Sequence, residues 1–426
     1  MKINLTKFLG FFIFFIIIQF LFVISVNAAT KIESLTLTSD TVWTSEDSPY
    51  EVTNVTLNAG VKLTLEEGVI INGGSFNIKG TLRINGTEEN PVTFNNGRIV
   101  VFTGAELISN NTVFSNAGMQ SYYNSVLTIN NGGNAQVNNA IFKDLYYWTG
   151  IENNGNLTIA NSNFNAGGSQ SIYGIKSTNN ATITNCNINM PRYGLCLSGI
   201  VSVDGCKVLG NSNYGYSIDC QGGTITIKNS EITTNKGIGL RGNGNLTVQN
   251  NLFNGNNYPV SFSNYSQVTL TDWQGNTFSN NTNDGYQIES LGSNSMTIKP
   301  LDKAFYLYTT LTIPSGKEVS IEPGTVFYNG GFNVNGILRI NGTEQSPVVI
   351  NNSSITISTG AELISNNTVF SNAGMQSYNN SVLTINNGGN AQVRNSTFKN
   401  LLYWTGIENS GNLTIENSSF GGSGVQ

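Results

Sequence analysis

Histidine is missing from all 426 residues, which removes Ser-His-Asp and Cys-His catalysis and every His-ligated metal site. Charge is scarce as well: Asp, Glu, Lys and Arg make up 11% of the chain. The net charge is −5 and the 20 Lys and Arg residues are scattered, so the basic patch that nucleic acid requires is absent. Cysteine is confined to Cys186, Cys196, Cys206 and Cys220, with gaps of 10, 10 and 14 that do not match a CxxC metal pattern. Four cysteines clustered in so long a chain are not a disulfide scaffold. What is abundant is asparagine (66) and glycine (47), with aromatic residues at 10%. Low charge with plentiful aromatic and β-branched residues argues against a disordered chain.

The one long apolar run is Phe11 to Val26, preceded by Lys2 and Lys7 and followed by Val26-Asn27-Ala28-Ala29. This pattern predicts a cleaved secretory signal over residues 1–29, since the run is short for a span of ~20 residues. An uncleaved anchor is the alternative. No later stretch could span a membrane as a helix, so a secreted or cell-surface protein is expected.

Repetition occurs on two scales. Thr103–Val137 matches Thr359–Val393 at 34 of 35 positions, the exception being Tyr123 against Asn379. The offset of 256 extends to Gly60 and Gly316, Gly86-Thr87-Glu88 and Gly342-Thr343-Glu344, and Trp148 and Trp404. The expected organisation is a first unit over 30–298, duplicated from about Val42, and an incomplete second unit over 299–426. The second copy stops near the equivalent of Gln170. Within each unit a finer period recurs. Leu157–Phe164, Ala181–Ile188, Val201–Val208, Ile225–Ile232 and Leu246–Phe253 share one pattern, with starts 24, 20, 24 and 21 residues apart. Between them lie Tyr173-Gly174-Ile175-Lys176, Tyr193-Gly194-Leu195-Cys196, Tyr214-Gly215-Tyr216-Ser217 and Ile238-Gly239-Leu240-Arg241. Periods of this length belong to solenoids.

These segments alternate with period 2 and are rich in Thr, Val and Ile, which predicts short strands rather than helices. Leu157, Ile159 and Phe164 should point inward, and Thr158, Thr182, Ser202, Thr226 and Thr247 outward. One position per coil holds Asn139, Asn161, Asn185, Asn229 or Asn250, with Gly205 as the substitute. Asn and Gly tolerate the left-handed backbone of a sharp corner. Stacked amides could also bond along the axis.

On these segments, and on the opening Val55–Gly68 with Gly80–Val92, the chain resembles right-handed parallel β-helix proteins of the pectin-lyase-like, bacterial exported or cell-surface type. The resemblance implies an all-β, right-handed parallel β-helix solenoid of roughly 17 coils of about 20–24 residues. It does not choose a function, because that fold carries lyases, hydrolases, epimerases, tailspikes and adhesins.

Alignment of the Tyr-Gly segments predicts one outward column of Glu152, Lys176, Cys196, Ser217 and Arg241. A second would hold Asn154, Thr178, Ser198, Asp219 and Asn243. Lyases of this fold are expected to use a calcium–carboxylate cluster with a Lys or Arg base. Here Asp219 and Glu152 would stand three coils apart, ~14 Å along the axis, too far to share an ion. No metal or cofactor is therefore expected, and no catalytic residue is assigned. Glu152 and Lys176 read as a cross-strand pair. Tyr173, Tyr193, Tyr214 and Tyr258 recur at one coil position, with Ile238 interrupting. They form either a ridge of ring faces for stacking sugars or a packed aromatic corner. The residues singled out for ligand contact are Tyr173, Tyr193, Tyr214, Lys176, Arg241 and Asp219. Cys186 and Cys206 fall at equivalent inward positions, close enough to be bridged; Cys196 and Cys220 are out of phase and unbridged.

The expected role is an exported, non-catalytic surface protein, structural or adhesive, binding extracellular polysaccharide or matrix, with end-to-end self-association at uncapped coils. The alternative is a polysaccharide-active lyase, epimerase or hydrolase of the same fold.

Overall fold

The computed structural model describes residues 29–115, 125–145, 149–166, 173–210, 215–371, 380–401 and 404–422. The apolar leader and the Tyr147-Trp148 step lie outside them. A coil begins with a strand such as Asn156–Ala160, turns at Asn161, and runs through a short strand, Asn163–Asn165. It closes with Tyr173–Ser177 before Asn180–Thr184 starts the next coil. These three stretches build three faces, here the first, second and third. Each strand pairs in parallel with its counterpart one coil away, as Leu157 with Ala181 and Ile159 with Ile183. The first face comprises eleven strands from Thr41–Trp43 to Val268–Gln274, then six from Met296–Ile298 to Asn412–Glu416. That makes seventeen rungs among the described residues, and almost no helix accompanies them. No described helix is long and apolar enough to cross a membrane.

Alternation sorts the side chains as expected: Leu157, Ile159 and Phe164 are buried, while Thr158 and Thr182 face solvent. On the second face the inward position carries a pile of rings. Phe94, Phe114, Phe142 and Phe164 follow one another with centroids 4.4–5.4 Å apart, and Phe76 of the third face meets Phe94 edge-on across the interior at the head of the pile. Each contact adds ~0.5–1.5 kcal/mol beyond the area it buries. Ile188, Val208 and Ile232 continue the column in register before Phe253 and Phe278 resume it.

The corner asparagines are left-handed. Asn139, Asn161, Asn185, Asn229 and Asn250 have φ between 51° and 55°, and Gly205 has φ 63°. Their amides do not form one continuous ladder. Asn161 Nδ2 donates to Asn138 Oδ1 at 3.0 Å, and Asn229 Nδ2 to Asp204 Oδ1 at 2.7 Å. Side-chain amides do run along the axis at the start of the first-face strands. There Asn180 donates to Asn156, and Asn156 to Asn134.

One residue past the corner, at the inward positions that include Cys186 and Cys206, lies a second ladder. The N–H of Ala140 donates to Ser162 Oγ, that of Cys186 to Cys206 Sγ, that of Cys206 to Ser230 Oγ, and that of Ser230 to Asn251 Oδ1. In these coils the turn leaves an N–H pointing inward, and a heteroatom from the next coil accepts it. All four cysteines are free and buried. The hydrogen bond to Cys206, then burial, holds the Cys186 thiol well above the ordinary range, and the same bond lowers Cys206. Burial pushes Cys196 up to about 12 and Cys220 well above its usual value. Buried protonated thiols are poor nucleophiles.

The two units do not stack like on like. Third-face strand Tyr258–Phe262 pairs with Tyr286–Ile288, which pairs with Phe305–Leu307. From there the column continues through Val326–Tyr328 and Val348–Asn351, the equivalents of second-face strands in the first unit. The coil is thus re-phased by one face at the seam.

Two stability predictions follow from the corners. Asn185→Gly should unfold within about 0.5 kcal/mol of the parent, whereas Asn185→Ala should lose ~1–2 kcal/mol because alanine resists the left-handed backbone. Cys206→Ser should be near neutral, while Cys206→Ala should cost ~1–3 kcal/mol by orphaning the N–H of Cys186. Chemical denaturation of the four variants checks both; equal losses for each pair would refute the stated causes.

Candidate functional site

The third face carries the sequence-predicted residues, in a register that corrects the expected columns. Glu152 stands beside Lys176, Lys176 beside Cys196, Cys196 beside Asp219, Asp219 beside Arg241, and Arg241 beside Ser261. Asp219, not Ser217, belongs to this column. Ser217 points inward, fully buried, and its hydroxyl accepts from the N–H of Gly210 at 3.0 Å. The slip is two residues, which preserves the alternation and so escapes any test based on period 2.

The same slip affects the tyrosines. Tyr214 lies outside the described residues. The ring that follows Tyr173 and Tyr193 is Tyr216, which pairs with Ile238, and Ile238 with Tyr258. Tyr173 and Tyr193 stack at 5.2 Å, and Tyr193 and Tyr216 at 5.9 Å, each with an interplanar angle of 28°. The rings are half-buried and lie face to face along the axis, so they present edges and hydroxyls to solvent. Of the two arrangements expected, a row of open ring faces is therefore not there; the rings pack on one another. At the end of the stack the Arg241 guanidinium sits 5.1 Å from the centroid of Tyr216, a cation–π contact. Burial pushes the Tyr173 phenol up to about 12 and also raises Tyr216 and Tyr258.

Arg241 ties the site together. Its Nε and Nη2 donate to the two carboxylate oxygens of Glu289 at 3.3 and 3.1 Å, and Nη1 lies 3.9 Å from Asp219 Oδ1. Ser261 Oγ donates to Glu289 Oε1 at 2.7 Å, and Gln221 Nε2 to Asp219 Oδ2 at 3.0 Å. Burial raises the Asp219 carboxyl above its ordinary range, outweighing Gln221 and Arg241, which favour the charge. Arg241 stays firmly protonated: burial opposes its charge, but Glu289 more than compensates. Lower on the face, Lys176 Nζ meets Glu152 Oε1 at 3.2 Å, a part-exposed pair worth under ~1 kcal/mol.

Glu289 was missed because it belongs to no coil pattern. Its signal was present, however: Ile32-Glu33-Ser34-Leu35 recurs as Ile288-Glu289-Ser290-Leu291, so the duplication reaches the seam itself. Where Ile238 replaces a tyrosine, the ridge is notched. The resulting groove of about 330 Å³ is bordered by Tyr216, Tyr258 and Tyr308, with Gln287, Glu289 and Lys236 supplying polar groups. Tyr308, also absent from the expected set, is 68% exposed. Lys176, Arg241, Asp219, Tyr173 and Tyr193 thus share one face, but none of them lines the groove: Arg241 touches two residues that do, Tyr216 and Glu289, and Asp219 stands behind Arg241. No group of three potential metal ligands occurs among the described residues.

Because folding raises the pKa of Asp219, its protonated form is the one the fold favours. Its contribution is full below the unfolded value of about 3.9 and is lost as pH rises through the folded one. Asp219→Asn should therefore melt above the parent at pH 7, with the gap closing below about pH 4; thermal unfolding at the two pH values checks this. A variant that melts lower at pH 7 would show that the pairing with Arg241 dominates instead.

Residues 125–283 match the family model described as the right handed beta helix region. No curated protein matches the chain. Among solved structures it is similar to a hyper-glycosylated TibA fragment at 14% identity, covering 92% of this chain and 99% of that one, TM-score 0.15. A PL6 family alginate lyase, AlyGC, is 11% identical over 92% of this chain and 77% of that one, TM-score 0.18. A tailspike protein of E. coli bacteriophage HK620, in complex with a pentasaccharide, is 9% identical over 91% and 71%, TM-score 0.16. Superpositions that loose say nothing of this chain's chemistry. The family match in the middle of the chain, and the same parallel stacking on both sides of it, make this protein a right-handed parallel β-helix.

Proposed function

We propose that the protein is an exported rod that binds extracellular saccharide at the notch in its tyrosine ridge. The observation that carries this is the gap at Ile238. There, three tyrosines border a groove that also holds a carboxylate, an amide and an ammonium group. Such a mix of apolar ring surface and convergent polar groups suits a ligand with an apolar ring face and a rim of hydroxyls. Elsewhere on the ridge the rings cover one another, so the notch is where ring surface becomes available. Tyr216, Ile238, Tyr258 and Gln287 stand on paired strands, so little of their freedom is left to lose on binding. Export remains the natural setting for the apolar leader, and an address at or beyond the cell surface fits a rod of this length.

A catalytic role is the second reading, favoured by one observation: a buried carboxyl with a raised pKa, Asp219, faces the Arg241–Glu289 pair at the groove's edge. Turnover of pectate, alginate or xylan, with or without calcium, that disappears in Asp219→Asn would establish it.

Ile238→Tyr completes the ridge and fills the notch. On a panel of neutral and acidic oligosaccharides, this variant should bind at least about tenfold more weakly than the parent, the scale expected for a lost aromatic contact. Its melting temperature should be equal or higher. Undiminished binding would place any saccharide site elsewhere.

A further inference from the structure

The unit opening contains a loop that the notch does not use. We infer that Gly86–Pro91 and its duplicate Gly342–Pro347 each roof a saccharide site at the corner between the first and second faces, giving the chain two equivalent sites in addition to the notch. Each loop is stiff. In the first, the Thr87 N–H donates to the Asn90 carbonyl at 3.2 Å and the Asn90 N–H to Thr87 Oγ1 at 3.0 Å. In the second, Thr343 and Ser346 make the same two bonds at 3.1 and 3.0 Å. The amide of the first corner residue fastens the loop to the rod: Asn111 Nδ2 donates to the Gly86 carbonyl at 2.9 Å, and Asn367 Nδ2 to that of Gly342 at 3.1 Å.

Beneath each roof lies a groove, about 350 Å³ in the first unit and 620 Å³ in the second. Five lining residues are identical at the offset of 256: a threonine, a glutamate and three corner asparagines. The left-handed corner turns these asparagine side chains out into the groove. Among the described residues, no hydrogen bond engages the amides of Asn139, Asn395 or Asn417. In the second groove Asn395 and Asn417 offer open amides one coil apart; in the first, Asn139 offers an open amide while Asn161 Nδ2 donates to Asn138 Oδ1 at 3.0 Å and leaves the Asn161 amide oxygen as an acceptor. Glu88 or Glu344 adds a further acceptor. No Lys or Arg lines either groove. A polyanion would meet a lone carboxylate there, so the fitting ligand is a neutral, hydroxyl-rich saccharide.

The two grooves are eleven rungs apart, about 50 Å along the axis. The re-phasing at the seam puts them on different sides of the rod. Two grooves so placed would tie separate polysaccharide strands together instead of gripping one strand twice. The ligand class rests on the saccharide reading of the notch, but the sites are physically separate from it.

Calorimetric titration of the whole protein with neutral gluco-, manno- and xylo-hexasaccharides, and with oligogalacturonate, separates the possibilities. Asn139→Gly and Asn395→Gly suit the corner backbone while deleting one amide each; Asn185→Gly is the control outside both grooves. One neutral hexasaccharide should bind with three sites per chain. Each groove variant should remove one site, Asn185→Gly none, and Ile238→Tyr the third. A single site untouched by both groove variants overturns the corner proposal and leaves the notch standing. Two sites, removed by the groove variants and indifferent to Ile238→Tyr, uphold the corners and sink the notch. No binding of any neutral hexasaccharide overturns both, and tighter binding of oligogalacturonate overturns the ligand class.

Discussion

A strand of three to five residues has no stability alone, and among the described residues no strand pairs with its sequence neighbour. Each finds its hydrogen-bonding partners one coil below and one coil above, as Asn156–Ala160 does between Asn134–Asn138 and Asn180–Thr184. Everything else follows from that dependence. The strands must stay in register, so variation in coil length is forced into the corners. The corners must turn sharply without disturbing the ladder, which is why left-handed asparagine recurs where φ is near 50°. The N–H that each turn strands in the interior needs an acceptor from the next coil, which Ser, Cys or Asn supplies.

Most of this architecture was legible in the amino acids. Alternation separated Leu157 and Ile159 from Thr158, and the corner was marked by asparagine with one glycine substitute, because few residues tolerate that backbone. The inward acceptor ladder was not legible as such: cysteine and serine both look like small residues until their N–H partners are seen. The register of the third face was only partly legible. Tyr214-Gly215 resembles Tyr193-Gly194 closely, yet Tyr216 takes the ridge position and Ser217 replaces the glycine. The step is two residues long, and a period of two cannot register it.

Composition of the site was legible, but its assembly was not. Asp219 and Arg241 were singled out separately; their juxtaposition needed the corrected register. Glu289, which clamps Arg241 with two hydrogen bonds, comes from the seam between units, where coil patterns fail. The tyrosine ridge was visible as a repeated letter, but whether rings turn their faces outward or toward each other is decided by packing. They turn toward each other, and the one aliphatic member of the row becomes the opening.

The seam has a consequence for any longer rod made the same way. Each added copy would continue the axis while advancing by one side of a three-sided coil. Equivalent surfaces would then trace a slow screw, coming back into line only after three copies. Lengthening by duplication would therefore broaden the range of directions from which such a fibre can be approached, as thread does on a bolt.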